Sequence, residues 1–346
     1  MSATLQPEAD EAASEASSRT GRGPWATAFR KLVQDRAAMI CLAALALIVL
    51  ACAAAPVYAR YVSRTDPFAS NVDGSFTLGG QSVQVMQPDQ GGLGLGVTPV
   101  GPTWSAPYFL GADSQGRDVM ARLLYGGRNS LFISSLSTLI CLTVAAIVGI
   151  VAGFFGGITD AVLSRLLDIL WAFPIYLLAI SLSIVLISRG LTIGPITISS
   201  DSLALPIGII GIVYVPYVAR PVRGLVLSLK QSEFVLAAIG LGVPNRRILV
   251  RDILPNVLTT LIVFAPLMMA LNMLTESALS FLSIGVQPPA ASWGTIIQDG
   301  QTLIYTRPLV AIAPGVAIAL TVLVLNVFGD GVRDALDPRA KLRFRA

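Results

Sequence analysis

Histidine is absent from this 346-residue chain, and lysine occurs only at Lys31, Lys230 and Lys341. Without histidine the sequence lacks the commonest zinc ligand and the usual general base. None of the lysines completes a Gly-x-x-x-x-Gly-Lys-Ser/Thr pattern, which excludes a phosphate-cradling loop of that type. Cysteine is scarce as well. Cys41, Cys52 and Cys141 each sit inside an apolar run, so they read as packing residues, with neither a disulfide framework nor a thiolate metal site indicated. No catalytic residue, metal or cofactor is expected. Charge is thin too, at 13% of residues against 54% hydrophobic ones, a balance outside the ordinary range for a protein dissolved in water.

What the chain has instead is long apolar runs. A bilayer core needs about 20 apolar residues per helix, and six stretches qualify: Ala37–Ala59, Ser130–Phe155, Ile169–Ser188, Ser202–Ala219, Val257 to about Val286, and Pro308–Phe328. The fifth is interrupted by Glu276, and the others carry no formal charge. The expected fold class is therefore an all-α membrane protein of six transmembrane helices. Arginine and lysine cluster before the first span, between the fourth and fifth (Arg220, Arg223, Lys230, Arg246, Arg247, Arg251), and after the sixth. The positive-inside rule then places both termini and the fourth connection in the cytoplasm. A pI near 9.1 is explained by these juxtamembrane charges, facing lipid, without any nucleic acid.

Residues 1–24 read as a disordered cytoplasmic tail. The first span is expected to be retained as a helix, since the polar stretch before it is far longer than the n-region of a signal peptide. In the first connection, Phe76, Val83 and Val85 alternate at strand spacing around Gly79-Gly80, which predicts a small hairpin. Gln90–Gly96 reads as loop, and Pro99, Pro102 and Pro107 as extended chain. Arg117–Tyr125 is expected to be a helix lying on the membrane, with Gly126-Gly127 turning the chain into the second span. Pro174, Pro206, Pro216, Pro266 and Pro314 are candidate kinks or tolerated membrane prolines. No internal repeat pairs one half of the spans with the other, which weakens a secondary-transporter reading.

The most informative segment is Lys230–Asn245. Ser232 suits an N-cap and Glu233 a first helical turn, while Gly242 and Pro244 stop the helix. Phe234, Ala237, Ala238 and Leu241 line one side at helical spacing, and Val235 and Ile239 make the other side apolar too. A helix hydrophobic all round must be buried, yet this one is too short to span a bilayer and is flanked by Lys230, Arg246 and Arg247. Ala237, Ala238, Gly240 and Gly242 would let a partner's groove approach closely; a helix packed only on its own chain is the alternative. A second short helix is expected over Asn245–Leu254, with Pro255 turning into the fifth span.

Leu236-Ala237-Ala238, Gly242 and Ile253-Leu254-Pro255 resemble the EAA loop by which permeases of ATP-binding-cassette (ABC) importers dock on their ATPases. This chain has Leu236 where the family usually has Glu, and Asp252 where peptide permeases commonly have His. Leu110–Val119, Ala172-Phe173-Pro174, Ser280–Pro289, Ser292-Trp293-Gly294 and Gly329–Arg339 are similar to signatures of the dipeptide/oligopeptide permease family, second-subunit type, and the resemblance covers about Trp25 to Arg339.

The resemblance implies a type I ABC importer permease fold in a bacterial inner membrane. The chain itself would be non-catalytic, with ATP hydrolysed elsewhere. Its implied partners are a second homologous permease subunit, two ATP-binding subunits and an external solute-binding protein. ATPase-coupling residues would be Glu233, Phe234, Leu236, Ala237, Ala238, Gly240, Leu241, Gly242 and Arg246. The expected organisation is an N-terminal segment with the first span over 25–59, an external loop over 60–129, and a permease core over 130–340. That core contains a coupling loop at 229–256, and a basic tail follows at 341–346. The stretch from about Asp66 to Ser105 is longer than in most relatives and is a candidate contact for the solute-binding protein.

Glu276 would cost roughly 2.5–3.5 kcal/mol at a bilayer centre if charged, so it should face protein, a partner subunit or a watery cavity, with Asn272 one turn away on the same face. The two are candidates for a pathway or subunit interface, the alternative being a buried structural hydrogen bond. Asp168 is expected to pair with Arg165. An ion-coupled transporter, a membrane-embedded enzyme and a structural scaffold remain rival readings. The absence of histidine and of a second carboxylate near Glu276 already counts against the enzyme.

Overall fold

The computed structural model describes residues 24–88, 96–193 and 195–336. The expected tails, apart from Pro24, and the loop-like stretch up to Leu95 therefore lie outside the described residues. The chain opens with α1 (Pro24–Gln34) and α2 (Arg36–Ala53), separated only by Asp35. The Asp35 carboxylate accepts the amides of Ala37 and Ala38 at 2.9 and 3.2 Å, an N-cap that starts α2 with no loop between the helices. A short helical turn (Ala55–Val57) and a π-helical turn (Tyr58–Ser63) carry the chain on to Arg64, whose positive φ of 54° ends the helix.

The predicted hairpin is present. β1 (Ser75–Leu78) pairs antiparallel with β2 (Gln81–Gln84), Phe76 opposite Val83, and Gly79 and Gly80 supply the positive φ of the turn. β3 (Met86–Pro88) pairs with β4 (Val97–Pro99). Phe76, Val83, Val85, Val100, Tyr108 and Ala112 close a small core beneath these strands.

The interfacial helix expected at Arg117–Tyr125 is instead the first part of α3 (Val119–Phe155), 37 unbroken residues capped by Asp118. At 1.5 Å per residue this is about 55 Å long, so one end must project beyond a hydrocarbon layer about 30 Å thick. Gly126 and Gly127 make no turn. They lie inside the helix where neighbours press against it: a Cβ on Gly127 would stand 2.7 Å from the Trp293 ring, and one on Gly126 2.9 Å from Ile296.

The apolar run at 169–188 is not one helix either. α4 (Gly157–Trp171) and α5 (Ile175–Arg189) meet at 88° across Ala172-Phe173-Pro174. Pro174 lacks the amide a continuing helix needs and holds the extended φ −54°, ψ 127° of an N-cap. After strands β5 (Leu191–Ile193) and β6 (Ile196–Ile198), α6 (Ala204–Val213) and α7 (Val215–Lys230) meet at 43°, with Pro216 just past the break.

α8 (Glu233–Gly240) follows. The second short helix expected at Asn245–Leu254 does not stand alone. Asn245–Ile248, a π-helical Leu249–Ile253 and α9 (Leu254–Phe281) form one continuous 37-residue run. The widened π turn ends two residues before Pro255, which has no N–H for the ladder, so the chain bulges where a turn was expected. α9 stops at Phe281, short of Val286, and Ser283 takes a positive φ of 63°. α10 (Trp293–Gly300) begins at a capping box formed by Ser292 and Thr295, and α11 (Leu309–Leu336) closes the described chain.

Among the described residues, four helical runs are long and apolar enough to cross a membrane by themselves, and each bent pair counted as one span gives six. The main core joins α3, α6, α7 and α9 through residues such as Ile133, Cys141, Ile210, Val218, Val222 and Met268. Pro266 and Pro314 stay within unbroken helices, as does Pro221 of α7.

Candidate functional site

The loop that carries α8 is braced from above. Lys230 ends α7 and donates from Nζ to the Phe154 carbonyl near the end of α3, 2.8 Å away. Arg223 of α7 grips both carboxylate oxygens of Asp160 in α4, at 2.5 and 2.6 Å. Arg220 reaches Asp168 at 2.7 Å and lies over the Trp171 ring. The pairing of Asp168 with Arg165 is thereby corrected: the partner is Arg220, which comes from α7 and not from the helix Asp168 belongs to. α4 is thus tied to α7 just before α8 begins.

Ser232 occupies the N-cap position with extended backbone, but its hydroxyl donates back to the Leu229 carbonyl at 2.5 Å and caps nothing. At the other end Gly242 takes φ +72°. Its amide and that of Val243 donate to the carbonyls of Ile239 and Ala238, which closes the last turn. These two ends fix the rotation of α8 about its axis. Val235 points into the main core and is 0% exposed, with Ala238, Val243 and Ile248 packed there too.

The remaining face is open. Glu233, Phe234, Leu236, Ala237, Ile239, Gly240, Leu241 and Gly242 are exposed, Leu241 at 83%, and Arg246 stands exposed beside them. The sequence grouping is corrected on two points. Ala238 turns inward with Val235, and Ile239 joins the open side. The helix therefore presents four large apolar side chains that the described residues leave about half exposed or more, each worth about 1.5–3 kcal/mol if fully buried.

Sequence reading missed a second cluster. Arg117 and Arg122, expected on an interfacial helix, are buried with Asp113. Arg117 Nε lies 2.7 Å and Arg122 Nε 3.3 Å from Asp113 Oδ2, and each guanidinium also reaches Asp299 Oδ2, at 3.0 and 2.7 Å. The cluster pins the start of α3 to α10. The only sequence signal was the i, i+4 spacing of Asp113 and Arg117, because Asp299 comes from far along the chain. Burial holds the Asp299 carboxyl above its ordinary range, opposed by the charges of Arg122 and Arg117. Burial also raises Asp118, against hydrogen bonds from the Ala121, Tyr108 and Met120 amides. Beside it, a cleft of about 670 Å³ is lined by Tyr61, Arg64, Asn71, Phe76, Tyr108 and Asp118.

Glu276 and Asn272, the candidates for a pathway or subunit interface, are both fully buried within this chain. Glu276 accepts from Ser280 at 2.8 Å and from Ser277 at 3.4 Å. Asn272 donates instead to Thr138 of α3 at 2.9 Å, leaving its Oδ1 without a partner among the described residues. Among the described residues no group of His, Cys, Asp and Glu side chains could hold a metal ion.

Fold and site together define a multi-pass helical membrane protein with an uncovered apolar helix in the connection between its fourth and fifth spans. Residues 145–342 match the family of binding-protein-dependent transport system inner membrane components, and residues 23–73 match the N-terminal transmembrane domain of oligopeptide transport permease C. The chain is 34% identical to the oligopeptide transport system permease protein OppC of Haemophilus influenzae, over 92% of this chain and 90% of that one. It is 39% identical to the dipeptide permease protein DppC of Alkalihalophilus pseudofirmus and 37% identical to the glutathione permease protein GsiD of Pectobacterium atrosepticum. Those two alignments each cover 68% of this chain and 74% of the relative. The chain belongs to the binding-protein-dependent ABC permease family, in its oligopeptide/dipeptide branch.

Proposed function

We propose that this chain forms half of the translocation pathway of an ATP-driven importer for peptides or similar small solutes, and that α8 is the element through which separate ATPase subunits drive it. The observation that carries the reading is the apolar face of Phe234, Leu236, Ile239 and Leu241, uncovered on a helix whose opposite face is locked into the core by Val235. A surface helix that exposes such a face fits the groove of a partner. The chain contributes no phosphate loop of its own, so the partner supplies nucleotide chemistry. The braces Arg223–Asp160 and Lys230–Phe154 give α8 a stiff attachment to α3, α4 and α7. A displacement of α8 is then passed to the spans, provided the partner binds it differently in its two nucleotide states.

A second homologous permease completes the pathway, two ATP-binding subunits sit on the side of α8, and an external solute-binding protein delivers the solute. Both termini lie on the cytoplasmic side with α8, as the distribution of Arg and Lys implies. The names of the relatives support peptides as the solute class.

The test is Ala237→Trp. Ala237 is exposed and helical, so the variant folds, and the added ring overlaps the groove wall. Purified complexes are expected to lose the ATPase subunits or to hydrolyse ATP without uptake. Normal ATPase binding together with normal uptake would remove α8 from the coupling path. Gly242→Trp is the poorer probe, because φ +72° strains any side chain there.

A further inference from the structure

We propose that α1 is a lipid-binding element that engages anionic phospholipid headgroups in the leaflet on the amino-terminal side of α2. The helix is two-sided. Ala28 and Leu32 are half-buried where α1 packs on α11, while Trp25, Phe29 and Val33, spaced four residues apart, form an exposed apolar stripe. Arg30 and Gln34 are exposed on the polar side, Lys31 is half-exposed there, and Arg36 follows at the start of α2.

Chain continuity places this stripe. Only Asp35 separates α1 from α2, whose side chains Ile40, Leu47 and Leu50 are as exposed as lipid-facing residues must be. Asp35 is held by its cap on Ala37 and Ala38. Close packing fixes the junction from the other side, since a Cβ on Gly331 of α11 would stand 2.5 Å from Ala38. α1 therefore cannot leave the membrane boundary without unmaking the start of α2.

Charge identifies the occupant. Among the described residues, Arg30, Lys31 and Arg36 have no carboxylate within salt-bridge distance. Exposed cations without an ion pair among the described residues, beside a Trp/Phe/Val stripe at a span's entry, match an anionic interface, with the rings at the acyl boundary and the cations at the phosphates. A protein partner would have to supply both an apolar groove and several carboxylates at bilayer depth.

The test uses the full chain in vesicles carrying acyl chains brominated near the headgroup, as phosphatidylcholine or as phosphatidylglycerol. Subtracting the emission of Trp25→Phe isolates the Trp25 signal. Quenching of Trp25 by both lipids, with phosphatidylglycerol preferred, is the expected result. Arg30→Gln should lower that preference by roughly fivefold, with a further loss in the double variant with Lys31→Gln. A Trp25 signal that neither lipid quenches would overturn the proposal, because protein then covers the stripe. Equal quenching by both lipids, unchanged in the double variant, would overturn it too, since α1 then rests at the interface without reading charge.

Discussion

Gly153 of α3 faces Val226 of α7 so closely that a Cβ at 153 would stand 2.8 Å from the Val226 Cβ. One turn earlier, a Cβ at Gly149 would lie 2.9 Å from the Ala219 carbonyl oxygen. Two glycines four residues apart thus let the backbones of α3 and α7 nearly touch, as small residues do at membrane helix contacts. Gly149→Ala and Gly153→Ala should each destabilise the chain by about 1–3 kcal/mol, because the facing atoms are backbone or β-branched and cannot yield. Gly224→Ala is the control: it lies in α7, where among the described residues no atom beyond its own turn of helix comes within 4 Å of the added carbon, and it should be stabilising by about 0.4–1 kcal/mol. Thermal unfolding of the detergent-solubilised chain reads all three, and equal effects at the three sites would contradict the close approach.

The Asp113–Arg117–Arg122–Asp299 cluster makes a second prediction. Asp299→Asn removes the carboxylate shared by two guanidinium groups and leaves both arginines to Asp113 alone. Breaking a wholly buried pair costs about 3–5 kcal/mol. Asp299 is 28% exposed, so a loss of about 2 kcal/mol is expected, with α10 loosening first. Hydrogen exchange on α10 and the start of α3 checks it. Faster exchange confined to another part of the chain would show that the cluster does not hold these elements together.

How much of this was legible in the sequence follows from the range of the interactions. The apolar runs and the hairpin around Gly79-Gly80 depend on neighbours along the chain and were read from spacing, and the start of α8 at Glu233 was read from residue type, although Ser232 makes no capping bond there. The break at Pro174 was visible as a proline, but its 88° bend was not. Gly126 and Gly127 looked like a turn, since nothing in their surroundings reveals that Trp293 and Ile296 press on them from far along the chain. Asp168 was given the cation nearest in sequence when Arg220 is nearest in space. On α8 the same limit applied. All of its residues are apolar or small after Glu233, so the pattern could not tell which face the core takes, and Val235 and Ala238 settle that only through tertiary packing.

The hydroxyls around Glu276 set up a contrast between two substitutions. Glu276→Leu removes the acceptor used by Ser280 and Ser277 and leaves buried hydroxyls unpaired, at about 1–3 kcal/mol each. Glu276→Gln keeps a carbonyl oxygen for Ser280 and should lose less than half as much. Ser280 also accepts the Val286 amide, so the Leu variant should expose the segment between α9 and α10 to protease. Thermal unfolding and limited proteolysis of the two variants give the comparison, and a Gln variant as unstable as the Leu one would mean that the hydroxyls are not what Glu276 serves.

The two faces of α8 separate folding from coupling. Val235 is enclosed by the core, so Val235→Asp places an unpaired carboxylate in an apolar site and should unfold the loop, with a loss of several kcal/mol. Leu241 is 83% exposed, so Leu241→Asp should change stability by no more than about 0.5 kcal/mol. It would nonetheless put a charge where a partner's apolar groove is expected to close. In the assembled transporter this variant should fold and reach the membrane like the parent, yet lose solute-stimulated ATP hydrolysis and uptake together. Stability measured on the isolated chain and uptake measured in proteoliposomes keep the two effects apart. If Leu241→Asp transports normally, the open face of α8 is only a lipid-facing surface, and the motor must engage the chain elsewhere.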